Sequence, residues 1–226
     1  LTSLGAGSRI TAAGPNTAGC YLSSCLQAVS ITSRNVFTQL DLGDSVQAAA
    51  GGGINGAGAT STTDITGPSK VVLADAVRIA SGMSPTASPG PMLLQAWTEL
   101  TADDTASLTT GGLLQGAGVT SNYSAHVDNE VTLGSNDVLS SFGTINIGTY
   151  TTALVRTNAY VSTYGLASVG VAKADVTVIT NNNVNVGSNS SLIGLADVNV
   201  VAGREGSGLR LNSLTGAATA LGYVRG

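Results

Sequence analysis

The sequence is short of charge, of aromatic rings and of cysteine, and each shortage narrows what the chain can do. Only 10% of its 226 residues are charged, where ordinary globular domains carry about 25%. Nine Lys and Arg against thirteen Asp and Glu leave a formal charge of −4. A chain so poor in cations has no electrostatic footprint for nucleic acid or for an anionic bilayer. Two Phe, two Met and one Trp leave too few large side chains for a thick globular core. No run approaches the ~18 consecutive apolar residues of a membrane span. The first residues lack the basic and then apolar segments of a secretion signal.

What is present is a 42% apolar share, supplied mainly by Ala, Val, Leu and Ile, with Gly, Ser, Thr and Asn at the polar positions. Disordered chains combine low hydrophobicity with high net charge, and this one has neither. Many small, similar apolar side chains favour thin repeated layers.

The repetition is explicit. The segment from Gly51 to Ser61 matches Gly111 to Ser121 without a gap, at a spacing of 111 − 51 = 60, and the same register carries Val71 and Leu73 onto Val131 and Leu133. Val131 to Asn136 matches Val184 to Asn189 at a spacing of 184 − 131 = 53, with Leu133 falling on Val186. That match continues, so Leu139, Phe142, Ile145 and Ile147 fall on Leu192, Leu195, Val198 and Val200. Fixed-period self-similarity marks a repeat architecture, whose units bury their apolar faces only against neighbours.

Within the repeats, apolar and polar residues alternate, as in Ala172, Ala174, Val176 and Val178 against Lys173, Asp175 and Thr177. Period two in runs rich in Val, Ile and Thr is the pattern of strands with one face buried. The expected fold is all-β: a right-handed parallel β-helix, or β-solenoid, with irregular repeats of 53 to 60 residues. It forms a single segment over 1–226, with approximate repeats 1–50, 51–110, 111–163 and 164–226. The Pro-rich stretch at 82–92 is the expected protruding loop. Each repeat is expected to hold two or three turns of roughly 20 to 29 residues, by analogy with other solenoids. Some ten turns at ~4.8 Å each would make a rod very roughly 50 Å long. Val71, Leu73, Val131, Leu133, Leu139, Phe142, Val184, Val186, Leu192 and Leu195 are the expected core.

The succession of Gly-Gly-Leu-Leu-Gln-Gly-Ala-Gly-Val at 111–119, an alternating strand, and Val-Thr-Leu-Gly-Ser-Asn at 131–136 resembles the large filamentous adhesins of bacteria. These are the filamentous-haemagglutinin-like proteins, leukotoxin-type members included. The resemblance covers roughly residues 46 to 226. It implies a parallel β-helix exported across the bacterial envelope for attachment, cell contact or matrix formation, with no catalytic residues in its shaft. The amino-terminal secretion domain of the two-partner type is not visible.

Candidate chemistry is sparse. Cys20 and Cys25, with four residues between them, suit a local disulfide in an oxidising exterior; two thiols and a distant His126 do not suit tetrahedral zinc. Gly51, Gly53 and Gly56 match a dinucleotide fingerprint in spacing, but the residues that follow are not a helix start. His126, Asp128 and Glu130 share one strand face, where solvated side chains are the expectation and general acid–base work needs convergent, desolvated groups. Asp41, Asp44, Asp103 and Asp104 lack a calcium-binding repeat pattern and read as turn or capping residues. Asn181, Asn182, Asn183 and Asn185 read as a turn. Asn122 and Asn189 head glycosylation acceptor triplets, and Trp97, Tyr150, Tyr160 and Tyr164 are candidate sugar-stacking rings.

These features support a structural or adhesive segment of a secreted surface filament or giant adhesin, without catalysis and without cofactor or metal. The alternative is a carbohydrate-active or glycan-binding β-helix protein of the tailspike or lyase kind. The expected setting is extracellular or on a bacterial cell surface. Expected partners are further coils of a longer chain or copies associating into a filament, because neither chain end resembles a charged cap, together with a glycan or protein receptor on a host or cell surface. Nucleic acid and a membrane span are not expected.

Overall fold

The computed structural model describes residues 1–12, 28–40, 46–82, 90–203 and 217–225, and among them there is no helix. The strands are β1 (Thr2–Leu4), β2 (Arg9–Ala12), β3 (Val29–Leu40), β4 (Val46–Leu73), β5 (Arg78–Ser81), β6 (Met92–Leu133), β7 (Val138–Ser141), β8 (Ile145–Tyr164), β9 (Ala167–Val186), β10 (Ser191–Gly194), β11 (Val198–Ala202) and β12 (Ala217–Arg225). Every pairing between them is parallel.

Registers follow the sequence repeat. Val71 pairs with Val131 and Val131 with Val184; Ile79 pairs with Leu139 and Leu139 with Leu192. Residues 60 and 53 apart are therefore hydrogen-bonded neighbours, with no strand between them. This corrects the expectation of two or three turns per repeat: the chain makes one circuit in each. Period two reveals a strand but not its length, and here the strands are far longer than the usual 5–6 residues.

The 42 residues of β6 fold back on themselves. Met92 and Leu94 at its start pack in one cluster with Val131 and Leu133 at its end. Further along, Leu100 and Ala102 meet Tyr123, Ala125 and Val127, and nearest the bend Ala106 and Leu108 meet Ala117 and Val119. Buried positions are even-numbered from Met92 to Thr110 and odd-numbered from Gln115 to Leu133. The parity changes within 111–114, which is the bend. An added Cβ at Gly112 would overlap the Gly52 carbonyl oxygen, and one at Gly165 the Gly112 oxygen, so stacked bends approach more closely than side chains allow.

After each second arm the chain turns a left-handed corner. Asn136 has φ 62°, and Gly7, Ala76 and Asn189 occupy the equivalent place with φ 70°, 61° and 58°. The corners are laddered: Gly7 N–H donates to Asp75 O, Ala76 N–H to Ser135 O and Asn136 N–H to Ser188 O, at 2.9–3.0 Å. Beyond the corner, the short strands pair in the order β10-β7-β5-β2 and bring Ile79 and Leu139 to the main core. The long strands stack in the order β1-β4-β6-β8-β11; five strands at ~4.8 Å span roughly 20 Å, well short of the expected rod.

The first arms begin at Val29, Met92, Ile145 and Val198, and the expected repeat boundaries at 51, 111 and 164 fall at or beside the bends. Of the expected core residues, Val71, Leu73, Val131, Leu133, Leu139 and Val184 are buried, while Val186 and Leu192 are partly buried against the same cluster. Phe142 is partly buried outside that cluster, and Leu195 is 69% exposed, which corrects the assignment of Leu195. Both sit in the turn leading from a short strand to the next long one, where alternation stops and a side chain need not face inward. Of the expected loop at 82–92, residues 83–89 lie outside the described residues. Its flanks adjoin, since an added Cβ at Gly82 would lie 2.7 Å from Gly90 N.

Candidate functional site

Three groups of polar or aromatic side chains are organised across circuits. The first lies on the outer face of the second arms. His126, Asp128 and Glu130 pair in register with Thr66, Pro68 and Lys70, and none is buried. Lys70 Nζ donates to Glu130 Oε2 at 2.7 Å, while Thr132 Oγ1 and Asn185 Nδ2 donate to Oε1 at 2.9 and 3.1 Å. The Lys70 bond is the largest influence on Glu130, holding its carboxyl below the ordinary value against a smaller upward push from burial. Asn181 Nδ2 donates to Asp128 Oδ1 at 2.7 Å and lies 3.2 Å from His126 Nε2. The row is thus tied to its neighbours in the circuits on either side.

The second group is a column on the outer face of the first arms. Arg34 pairs in register with Trp97, and Trp97 with Tyr150. The guanidinium of Arg34 lies 4.4 Å from the Trp97 ring centroid, and the Tyr150 ring stacks at 5.3 Å with an interplanar angle of 15°. Because β3 and β8 flank β6 on opposite edges, both faces of the indole are covered from within the chain. That removes Trp97 as an open sugar platform. Arg34 also bonds Glu99 at 2.6 Å. Tyr160 and Tyr164 are exposed near the third bend.

The third group is internal and went unrecognised in the sequence. Thr98 Oγ1 donates to Asn129 Oδ1 at 2.7 Å, and Asn129 Nδ2 donates to Thr151 Oγ1, to the Tyr150 carbonyl and to Asn182 Oδ1 at 2.8–2.9 Å. Asn181 to Asn185 are therefore not a turn but part of β9, with Asn182 buried. Asp104 is buried as well, accepting from Ser61 Oγ at 2.9 Å and from Ser121 Oγ, so the turn reading of Asp103 and Asp104 also fails. The signal that could have found these residues is the repeat register: 182 − 129 = 53 and 151 − 98 = 53.

Adjacent strand residues point to opposite faces, so Asp103 and Asp104 cannot converge on one ion. Among the described residues no group of three or more His, Cys, Asp and Glu side chains is placed to hold a metal ion. Asp41, Asp44, Cys20 and Cys25 lie outside the described residues. Gly51, Gly53 and Gly56 sit in β4, where no helix opens onto a phosphate. Asn122 is in mid-strand and Asn189 at an exposed corner. Among the described residues no helix is long and apolar enough to cross a membrane. No protein-family model, curated protein or solved structure matches the chain.

Proposed function

We propose that this chain is a segment of a secreted β-solenoid, a right-handed parallel β-helix, that serves as the shaft of a surface filament or large adhesin. The observation that supports it most is the direct pairing of residues 60 and 53 apart along whole arms. Such stacking can be extended by adding circuits without altering the cross-section, which suits a spacer. The outer faces agree with that role, because the Lys70–Glu130 pair and the Arg34–Trp97–Tyr150 column tie one circuit to the next. The resemblance of the repeat to filamentous-haemagglutinin-like adhesins supports the same reading and adds an extracellular or cell-surface setting and a receptor on another cell.

Immunogold electron microscopy on intact producing cells, with antibodies raised against the 226-residue chain, tests this. Label is expected on surface filaments or shed fibres. Label confined to the cell interior would overturn the proposal.

A further inference from the structure

The bends of the successive circuits carry an apolar exposure that nothing described in the chain covers. Ile54 and Leu166 are 83% and 88% exposed, and Leu113, Leu114, Tyr164 and Val169 are half or more exposed. They are contiguous: Ile54 pairs in register with Leu114, and Ile54, Leu114, Leu166 and Val169 line one open groove of about 670 Å³. The segments that build the bends, residues 46–63, 105–125 and 157–172, contain no Asp, Glu, Lys or Arg. Glycines 53, 56, 111 and 116 have open space where a side chain would stand, so the surface is low in relief and admits close approach.

The largest apolar patch on a typical monomer is about 300–600 Å² and is itself often functional. Six large side chains exposed to this degree present an area of the order of the ~800 Å² that each partner contributes to a standard interface. The occupant must be apolar and uncharged at the contact, since a charged partner would lose solvation here with nothing to pair against. A second copy of the same surface meets that condition, and a charge-free patch meets no repulsion from itself. A bilayer fits less well: interfacial membrane-binding faces carry a Lys and Arg rim, whereas this rim is of mixed sign, with Asp64, Arg156 and the Lys173–Asp175 pair at 2.5 Å.

We infer that the bend surface is a side-by-side contact between two copies of this chain, packed bend against bend about a two-fold axis. Such an isologous contact closes at two copies, while end-to-end stacking of circuits is open-ended. The two modes use different surfaces and are separable by experiment.

Sedimentation velocity of the 226-residue chain, up to about 0.1 mM so that a micromolar Kd would be saturated, is expected to show a dimer. The double variant Ile54→Asp/Leu166→Asp is expected to weaken association at least 100-fold with an unchanged circular dichroism spectrum, and Thr66→Asp on the exposed arm is expected to leave the dimer intact. Should the double variant lose its strand signal, Ile54→Ser/Leu166→Ser replaces it with the same reading. A monomeric wild type overturns the inference. So does a dimer that survives the double substitution, or an open-ended polymer insensitive to it. Co-flotation of the wild type, but not the variant, with phosphatidylcholine vesicles in the absence of a dimer would assign the patch to lipid and also overturn it.

Discussion

Asn129 Nδ2 donates to Asn182 Oδ1 at 2.9 Å, across one circuit and inside the molecule. The interior around it is made of small, similar apolar residues that would tolerate several alignments of one circuit on the next. A slip of one residue turns every inward side chain outward. A slip of two keeps the faces but sets Asn129 against Thr180 or Val184, and the latter leaves a buried amide without a partner. A satisfied polar ladder thus specifies register where the apolar residues do not.

Replacing Asn129 by Leu keeps the volume but strips the Thr98 hydroxyl of its acceptor and Asn182 Oδ1 of its donor. At roughly 1–3 kcal/mol for each buried group left unsatisfied, the loss should reach about 3 kcal/mol. Urea unfolding measures it as a lower midpoint at constant slope. A loss under about 1 kcal/mol would show that the ladder is dispensable.

Ala76 holds φ 61° at a corner where the other circuits place Gly or Asn. An L-residue without a local hydrogen-bonding side chain costs roughly 1–2 kcal/mol in that conformation. Ala76→Gly is therefore expected to raise stability by about 1 kcal/mol, part of the gain being offset by the greater freedom of glycine in the unfolded chain. Gly134→Ala at the neighbouring corner should do the opposite, because its Cβ would lie 2.5 Å from the Ala74 carbonyl carbon. Thermal melts of the two variants should move in opposite directions.

The repeat was legible because the bends and corners are the least tolerant places. Gly112 and Gly165, 53 residues apart, recur where stacked backbones leave no room for a side chain, and Leu133-Gly134-Ser135-Asn136 recurs as Val186-Gly187-Ser188-Asn189 where one residue is left-handed. The path between them was not legible. Inward positions include Thr98, Asp104, Ser121, Asn129 and Asn182 as well as Val and Leu, so the apolar alternation breaks in mid-arm and long strands look like several short ones. These polar residues are satisfied by partners on the opposite arm or in the next circuit, which the window of a single short strand does not contain. The Arg34–Trp97–Tyr150 column was hidden for the same reason.

Two carboxyl groups should shape the acid limb of stability in opposite ways. Glu130 is held below its ordinary value chiefly by Lys70, so its contribution is present above the unfolded carboxylate pKa and is lost as pH falls through the folded one. Glu130→Gln removes it, by under about 1 kcal/mol for so exposed a pair. Asp137 is raised, first by burial, with the Val77 N–H opposing; its Oδ1 accepts that N–H at 2.8 Å and its Oδ2 has no protein partner. Its favourable contribution is present below the unfolded value and lost as pH rises through the folded one. Asp137→Asn, which keeps an acceptor for Val77, should gain relative to wild type across that rising window. A parallel pH dependence of the two variants would contradict the assignment.

Leu139 and Leu195 separate what the repeat alignment shows from what it does not. Leu139 is an apolar position matched by an apolar residue one repeat on, at Leu192, and Leu195 is the match of Phe142. Alignment alone gives both equal standing, but burial does not. Leu139 is fully buried between Ile79 and Leu192 in the short-strand stack, whereas Leu195 stands largely in solvent. Truncating a fully buried Leu to Ala removes its transfer free energy and leaves a cavity, about 3 kcal/mol within a 2–5 kcal/mol range. Truncating an exposed one changes stability by about 0.5 kcal/mol at most. Leu139→Ala and Leu195→Ala, compared by chemical denaturation, are expected to differ by about 2 kcal/mol or more. Equal losses at the two positions would mean that the turn after the short strand packs inward, and that the inward face extends beyond the strands.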